Sequence, residues 1–175
     1  MAHIAGVFEH PRREIPDRTL AEIHAEVAAG ALADAGLGFE DVDGFLCDST
    51  APGWSPLSMA EYLGLDHLSY FESTESGGSS YLQHVGHAAA IAAGMCRVAL
   101  ITLAGTPRSD RGRVAGRGTE GPETGFEWLW GFTGPVSQYA LVAQRHMYEF
   151  GTTSEQLAWV KVAASRHAKH NPHAF

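Results

Sequence analysis

Two adjacent glycines set among hydroxyls stand just ahead of a helix-forming stretch, in the run Glu72-Ser73-Thr74-Glu75-Ser76-Gly77-Gly78-Ser79-Ser80. A strand that passes through glycines into a helix exposes free N–H groups at the positive end of that helix. Glycines also let a ligand or a reacting carbonyl come close to the backbone. Such a place can hold a phosphate, a thioester oxygen or an oxyanion. The loop contains no Cys, and Ser76, Ser79 or Ser80 would need an adjacent base to act as a nucleophile. It matches neither the dinucleotide fingerprint nor the phosphate-binding loop, so nucleotide binding is not supported. The same residues also suit an ordinary, well-capped turn between strand and helix.

Other residues have chemistry within reach. Arg108, Arg111, Arg113 and Arg117 cluster among Gly, Ser and Asp, and their guanidinium forks suit phosphate oxygens. The same composition suits a solvated, partly disordered excursion. His84 and His87, and likewise His167, His170 and His173, are spaced by three, as metal ligands on one helix face can be. Pro172 interrupts the second set and no Cys or carboxylate joins either, so no metal is expected. Cys47 and Cys96 read as small core residues. Trp128, Trp130 and Phe132 either line an apolar pocket or anchor the segment that carries them, anchoring being the preferred reading.

The elements that position these residues follow from periodicity. Residues 3–8 read as an opening strand. Thr19 and Glu22 have the spacing of a capping box, and Leu20, Ile23, Val27 and Ala31 then recur at helical spacing up to Gly36. Strands are expected over 42–47, 68–73 and 98–103, the last without alternation, as suits burial on both faces. Ser55-Pro56 opens a short helix, and an Ala-rich helix runs from about Ser79 to Gly94, apolar all round and therefore expected to be buried. The resulting order, β-α-β-α-β-α-β, implies an α/β fold with a mainly parallel sheet. Residues 106–127 form a Gly/Arg/Glu-rich connection. Two helices follow, over 135–150 and 154–170, the second with a capping box in Thr152-Thr153-Ser154-Glu155.

Composition bounds the class. With 12 basic and 20 acidic side chains in 175 residues the formal charge is −8, against a nucleic-acid surface. The charged fraction, 18%, and the abundance of Ala and Gly do not fit a disordered chain. No stretch approaches the ~20 apolar residues of a membrane span, and two cysteines are too few for a disulfide framework. A cytoplasmic globular protein is expected.

The nucleophile loop, the Ala-rich helix ending at Gly94, and the strand Arg97-Val98-Ala99-Leu100-Ile101 together resemble the N-terminal half of the thiolase superfamily. Arg145-His146-Met147-Tyr148-Glu149-Phe150-Gly151-Thr152 and Ser165-Arg166-His167-Ala168-Lys169-His170-Asn171-Pro172 resemble its lipid-transfer, sterol carrier protein-type branch. The resemblance implies one half of a five-layered sandwich. Residues 1–105 would form its α/β core, and residues 106–175 the start of an inserted helical loop domain. Thiolases carry a nucleophilic Cys before the buried helix. Counting back from Gly94, that position falls here at Gly77 or Gly78. A Gly-substituted branch resembles enzymes that cleave a β-hydroxyacyl-CoA by retro-aldol reaction, so a lyase is expected ahead of an acetyl-CoA acetyltransferase. A non-catalytic acyl-CoA-binding or scaffold subunit is the competing reading. The substrate would be a coenzyme A thioester, with a sterol side chain as one candidate acyl group and with the Arg cluster on the coenzyme A phosphates. Neither a metal nor a nucleotide cofactor is expected. The resemblance further implies a homodimer, an OB-fold, zinc-ribbon partner protein, and acid–base tyrosines in a C-terminal half that this chain does not match.

Overall fold

The computed structural model describes residues 2–48, 51–74, 85, 88–106, 109, 129–132, 135–171 and 174. The chain divides into two compact units, Met1–Val114 and Ala115–Phe175.

In the first unit, α1 (Leu20–Ala35) starts where the capping box places it. The Thr19 hydroxyl accepts the Glu22 N–H while the Glu22 carboxylate accepts the Thr19 N–H at 2.7 Å. It stops at Gly36, whose φ of 69° is the left-handed conformation that a helix C′ position favours. The strands β1 (Gly44–Asp48), β2 (Tyr70–Thr74) and β3 (Ala99–Thr102) form a parallel sheet in the order β2-β1-β3, with α2 (Pro56–Tyr62) crossing from β1 to β2. Central β1 is buried throughout. Phe45 faces Leu100 and Cys47 faces Thr102 across the ladder, so these four share one side of the sheet. Phe45, Cys47 and Leu100 join Ala28 and Leu32 of α1 and Met59 and Ala60 of α2 in one core cluster. This is the α/β class expected, a parallel sheet flanked by helices.

Several local expectations change. Residues 3–8 form no strand. The segment lies along α1 instead, with Val7 N–H donating to Asp34 at 2.9 Å. A cleft of about 1130 Å³, lined by residues 2–10, α1 and residues 97–106, separates it from the outer edge of β3. β3 alternates buried and half-buried residues, so it is fully covered on one side only. Of the stripe Leu20, Ile23, Val27 and Ala31 only Ile23 is buried, and the buried side of α1 runs instead through His24, Ala28 and Leu32, while Val27 and Ala31 are half-buried along the cleft. Ser55 holds the N-cap position of α2 ahead of Pro56, but its side chain makes no cap bond; its hydroxyl donates to the Asp48 carbonyl at 2.9 Å.

The Ala-rich segment lies largely outside the described residues. Its end is a short 3-10 helix, Ala88–Ala90, and a turn closing at Gly94, with φ of 75°. Val85 is 41% exposed and Met95 49%, against the expectation of a buried helix.

The second unit contains α3 (Pro135–Phe150) and α4 (Ser154–Ala168). Gly151 ends α3 with φ of 68°. The box that starts α4 is Thr153 with Gln156, not Thr152 with Glu155, because the fourth residue of the box must reach back to the cap it serves. Among the described residues, no helix is long and apolar enough to cross a membrane.

Candidate active-site edge of the sheet

All three strands run in parallel, so their C-terminal ends, Asp48, Thr74 and Thr102, lie at one edge of the sheet. That edge is where open α/β sheets place ligands. Thr74 pairs with Asp48, and the sequence run with Gly77 and Gly78 follows Thr74 directly. Ser76, Gly77, Gly78, Ser79 and Ser80 themselves lie outside the described residues, as do Arg108, Arg111, Arg113 and Arg117. What the structure adds is the support of the strand ends themselves.

The support is polar and buried. His24, fully buried on α1, reaches across to β3, where its Nδ1 lies 2.9 Å from Thr102 Oγ1. Its Nε2 is buried and has no hydrogen-bond partner among the described residues. Burial pushes the His24 pKa down, and the negative charge of Asp48 partly opposes that, leaving it below the ordinary value. Asp48 is itself buried at the end of β1. Next to it, Cys47 Sγ lies 3.7 Å from the Ser55 hydroxyl. Ser55 holds a φ of 53°, a conformation that costs a residue with a Cβ, and it does so while bonded to the end of β1.

The cysteines behave as the sequence suggests. Burial raises the Cys47 thiol to about 11 and also raises Cys96, so neither holds a ready thiolate. His146 is exposed on α3, 2.9 Å from the Thr152 hydroxyl and with its ring centroid 4.8 Å from that of Phe150. His167 and His170 are exposed, while His84, His87 and His173 lie outside the described residues. Among the described residues no three metal-ligating groups come together. Trp128 lies outside the described residues, Trp130 is 78% exposed and Phe132 is half-buried.

Sequence reasoning missed His24. The signal was available: Leu20, His24, Ala28 and Leu32 recur every four residues, so a polar residue sits in an apolar row of α1. The competing row through Ile23, Val27 and Ala31 masked it.

A relative from Mycobacterium tuberculosis, 17-hydroxy-3-oxo-4-pregnene-20-carboxyl-CoA lyase, is 35% identical over 99% of this chain and 47% of its own length. A steroid side-chain-cleaving aldolase from Thermomonospora curvata is 32% identical over 99% of this chain and 46% of its own. The chain is similar to steroid side-chain lyases. A solved structure described as an Ltp2-ChsH2(DUF35) aldolase superposes with a TM-score of 0.73 at 30% identity, covering 89% of this chain and 40% of that one. The chain thus spans about half the length of the curated relatives it matches. No protein-family model matches it.

Proposed function

We propose that this chain forms the thiolase-like, acyl-CoA-handling part of a retro-aldol lyase acting on a β-hydroxyacyl-CoA with a steroid as its leaving ketone. The observation that carries this reading is the alignment of 99% of the chain with two relatives, both named for cleaving such a bond. In the compound that names the mycobacterial relative, the C17 hydroxyl is β to the thioester carbonyl. A base takes the hydroxyl proton, the C17–C20 bond breaks, and its electron pair enters the thioester as an enolate. C17 becomes a ketone, and protonation of the enolate carbon releases a three-carbon acyl-CoA. The step needs a base and a stabilised enolate oxygen, and no covalent nucleophile.

Within that reaction we assign the thioester oxygen to the backbone around Gly77 and Gly78, with Ser76, Ser79 and Ser80 beside it. Arg108, Arg111, Arg113 and Arg117 are assigned to the coenzyme A phosphates. Gly in the place of the thiolase Cys, and two thiols that burial keeps protonated, favour the lyase over acyl transfer. The reading divides the chain at about residue 105, into a catalytic core and the start of a loop domain. It places the acid and base on polypeptide that this chain does not match. It also includes a homodimer and a partner of the DUF35 kind named with the structural neighbour.

The test is incubation of the protein, with and without such a partner, with 17-hydroxy-3-oxo-4-pregnene-20-carboxyl-CoA, followed by mass spectrometry. Appearance of the 17-ketone with the three-carbon acyl-CoA is expected. Coenzyme A thioester binding without ketone in either mixture would replace the lyase with a binding subunit. An acyl adduct on Ser76, Ser79 or Ser80 would replace it with a transferase.

A further inference from the structure

We propose that Trp54 is a specificity-determining residue, an indole held beside the C-terminal end of β1 to lie against the steroid nucleus of the substrate. The inference rests on the lyase reading for the identity of the ligand. Its geometry lies within the first unit, in Asp48 and residues 51–60.

Trp54 is 81% exposed. Left in water, an indole forgoes the apolar burial that is its main energetic use. The segment that carries it is nevertheless tightly fixed. Ala51 is buried, and its N–H donates to the Asp48 carbonyl at 3.2 Å. The Ser55 hydroxyl donates to that same carbonyl at 2.9 Å. The Trp54 N–H donates to Ser58 Oγ at 2.9 Å, and the Met59 N–H donates to the Ser55 carbonyl at 3.0 Å. A Cβ on Gly53 would come within 2.5 Å of Ser58 Oγ, so the turn lies close against the start of α2. Gly53, with φ of 72°, and Ser55, with φ of 53°, flank the indole. Among the described residues Ser55 is the one residue other than glycine with a positive φ. Backbone strain of this kind persists where its surroundings enforce it, and it gathers at sites that bind or react. Here it brackets an exposed aromatic ring at the edge where open α/β sheets take their ligands.

Composition says which half of the thioester the ring would meet. No charged side chain lies between Asp48 and Glu61, in a chain that is 18% charged. The coenzyme A half carries phosphates, which call for guanidinium or ammonium groups. The steroid half is rigid, flat and uncharged, and it calls for a fixed apolar face with no charge to desolvate. A ring whose backbone is clamped before binding loses little freedom on contact, so the contact is expressed as affinity.

The test compares two thioesters on the whole chain, with and without the partner. One is 17-hydroxy-3-oxo-4-pregnene-20-carboxyl-CoA, and the other is 3-hydroxy-3-methylbutanoyl-CoA, whose ketone half is only acetone. Calorimetry gives Kd for each, and kcat/KM is added where ketone is released. Covering one face of an indole is worth a factor of about ten, so Trp54→Ala should lower the preference for the steroid thioester about tenfold. Trp54→Phe keeps a flat ring and should recover most of it. A structural role would weaken both thioesters alike, so a preference that stays at the wild-type value would overturn the proposal. A wild type without preference for the steroid thioester would overturn it as well. So would a Trp54→Ala chain that changes oligomeric state and keeps its preference, which would make the indole a contact between copies. The exposure of Trp54 means that neither substitution opens a cavity, and an unaltered Tm should accompany both. Wild-type binding of the steroid thioester without release of ketone would defeat the lyase reading alone, because the ratio of Kd values decides the role of Trp54 without turnover.

Discussion

The carboxylate of Asp43 accepts the backbone N–H of Val98 at 2.8 Å, across 55 residues of sequence. The same oxygen accepts the Arg97 N–H, also at 2.8 Å, so one side chain at the mouth of β1 fixes the entry to β3. The Arg97 guanidinium adds a contact at 3.2 Å, but its side chain is 88% exposed and the ion pair contributes little.

Asp43→Asn should therefore destabilise mainly through loss of charge on those backbone bonds. Burial acts to raise the Asp43 pKa, and the Val98 and Arg97 bonds more than offset it, leaving the group below the ordinary carboxylate range. A depressed carboxylate stabilises the fold above its unfolded pKa, and that contribution is lost as pH falls through the folded one. The substitution is expected to cost about 2 kcal/mol at pH 7. For a chain of this length that is roughly 4–8 °C in Tm. Melts repeated below pH 4 should show the difference closing, and a constant difference would show that charge is not what matters.

Thr102→Val tests the buried pair from the other side. It keeps shape but leaves His24 Nδ1 unpaired in the core, a loss of about 1–3 kcal/mol. Adding His24→Leu removes the second polar group and should restore much of the loss, which a double-mutant cycle on urea midpoints would measure. The wild type should also weaken as pH falls below 6.5. Because the folded His24 pKa is lowered by burial, the unfolded chain takes up the proton first and is favoured. The double variant should lack that component of the pH dependence.

What was legible in the sequence was what local chemistry dictates. The Thr19–Glu22 box, Gly36 and Gly151 fixed helix ends, and the unbroken apolar run at Phe45–Cys47 marked the central strand. What was not legible depended on partners far along the chain. Residues 3–8 read as a short opening strand, yet a strand exists only where an edge is free to pair, and here α1 offered a closer surface. His24 was hidden for a related reason. The apolar arc of α1 is wide enough to hold two rows, and only the packed sheet chooses between them. At the candidate site, the sequence could mark the Gly77–Gly78 run and the absence of Cys from it, but not the buried pair of His24 and Thr102.

Gly36→Ala isolates a purely conformational cost. The residue has φ of 69°, and an added Cβ there would meet nothing within 4 Å. Only the left-handed backbone is strained, so about 1–2 kcal/mol should be lost, with no change in the core. Hydrogen exchange should speed up at Leu37, whose N–H reaches back to the Leu32 carbonyl at 2.9 Å. A loss well above that range would mean that the helix stop carries tertiary contacts as well.

Gly6→Ala addresses why the first residues follow α1. A Cβ on Gly6 would stand 2.4 Å from the Ala31 carbonyl oxygen and 2.7 Å from the Ala35 nitrogen. Both are helix backbone, which cannot swing aside as a side chain can. The segment must lift, and lifting it breaks the Val7 N–H bond to Asp34 and draws the Phe8 ring away from Gly30, against which it now lies. Overpacking of this kind costs about 1–3 kcal/mol. Since the segment forms one wall of the 1130 Å³ cleft, the effect should be local. Exchange at Val7 should approach that of an open chain while the β1 amides stay protected. Ala5→Ser, at an exposed neighbour, should change stability by less than about 0.5 kcal/mol. If Val7 remains protected in Gly6→Ala, the close crossing at Gly6 is not what keeps this segment on the helix.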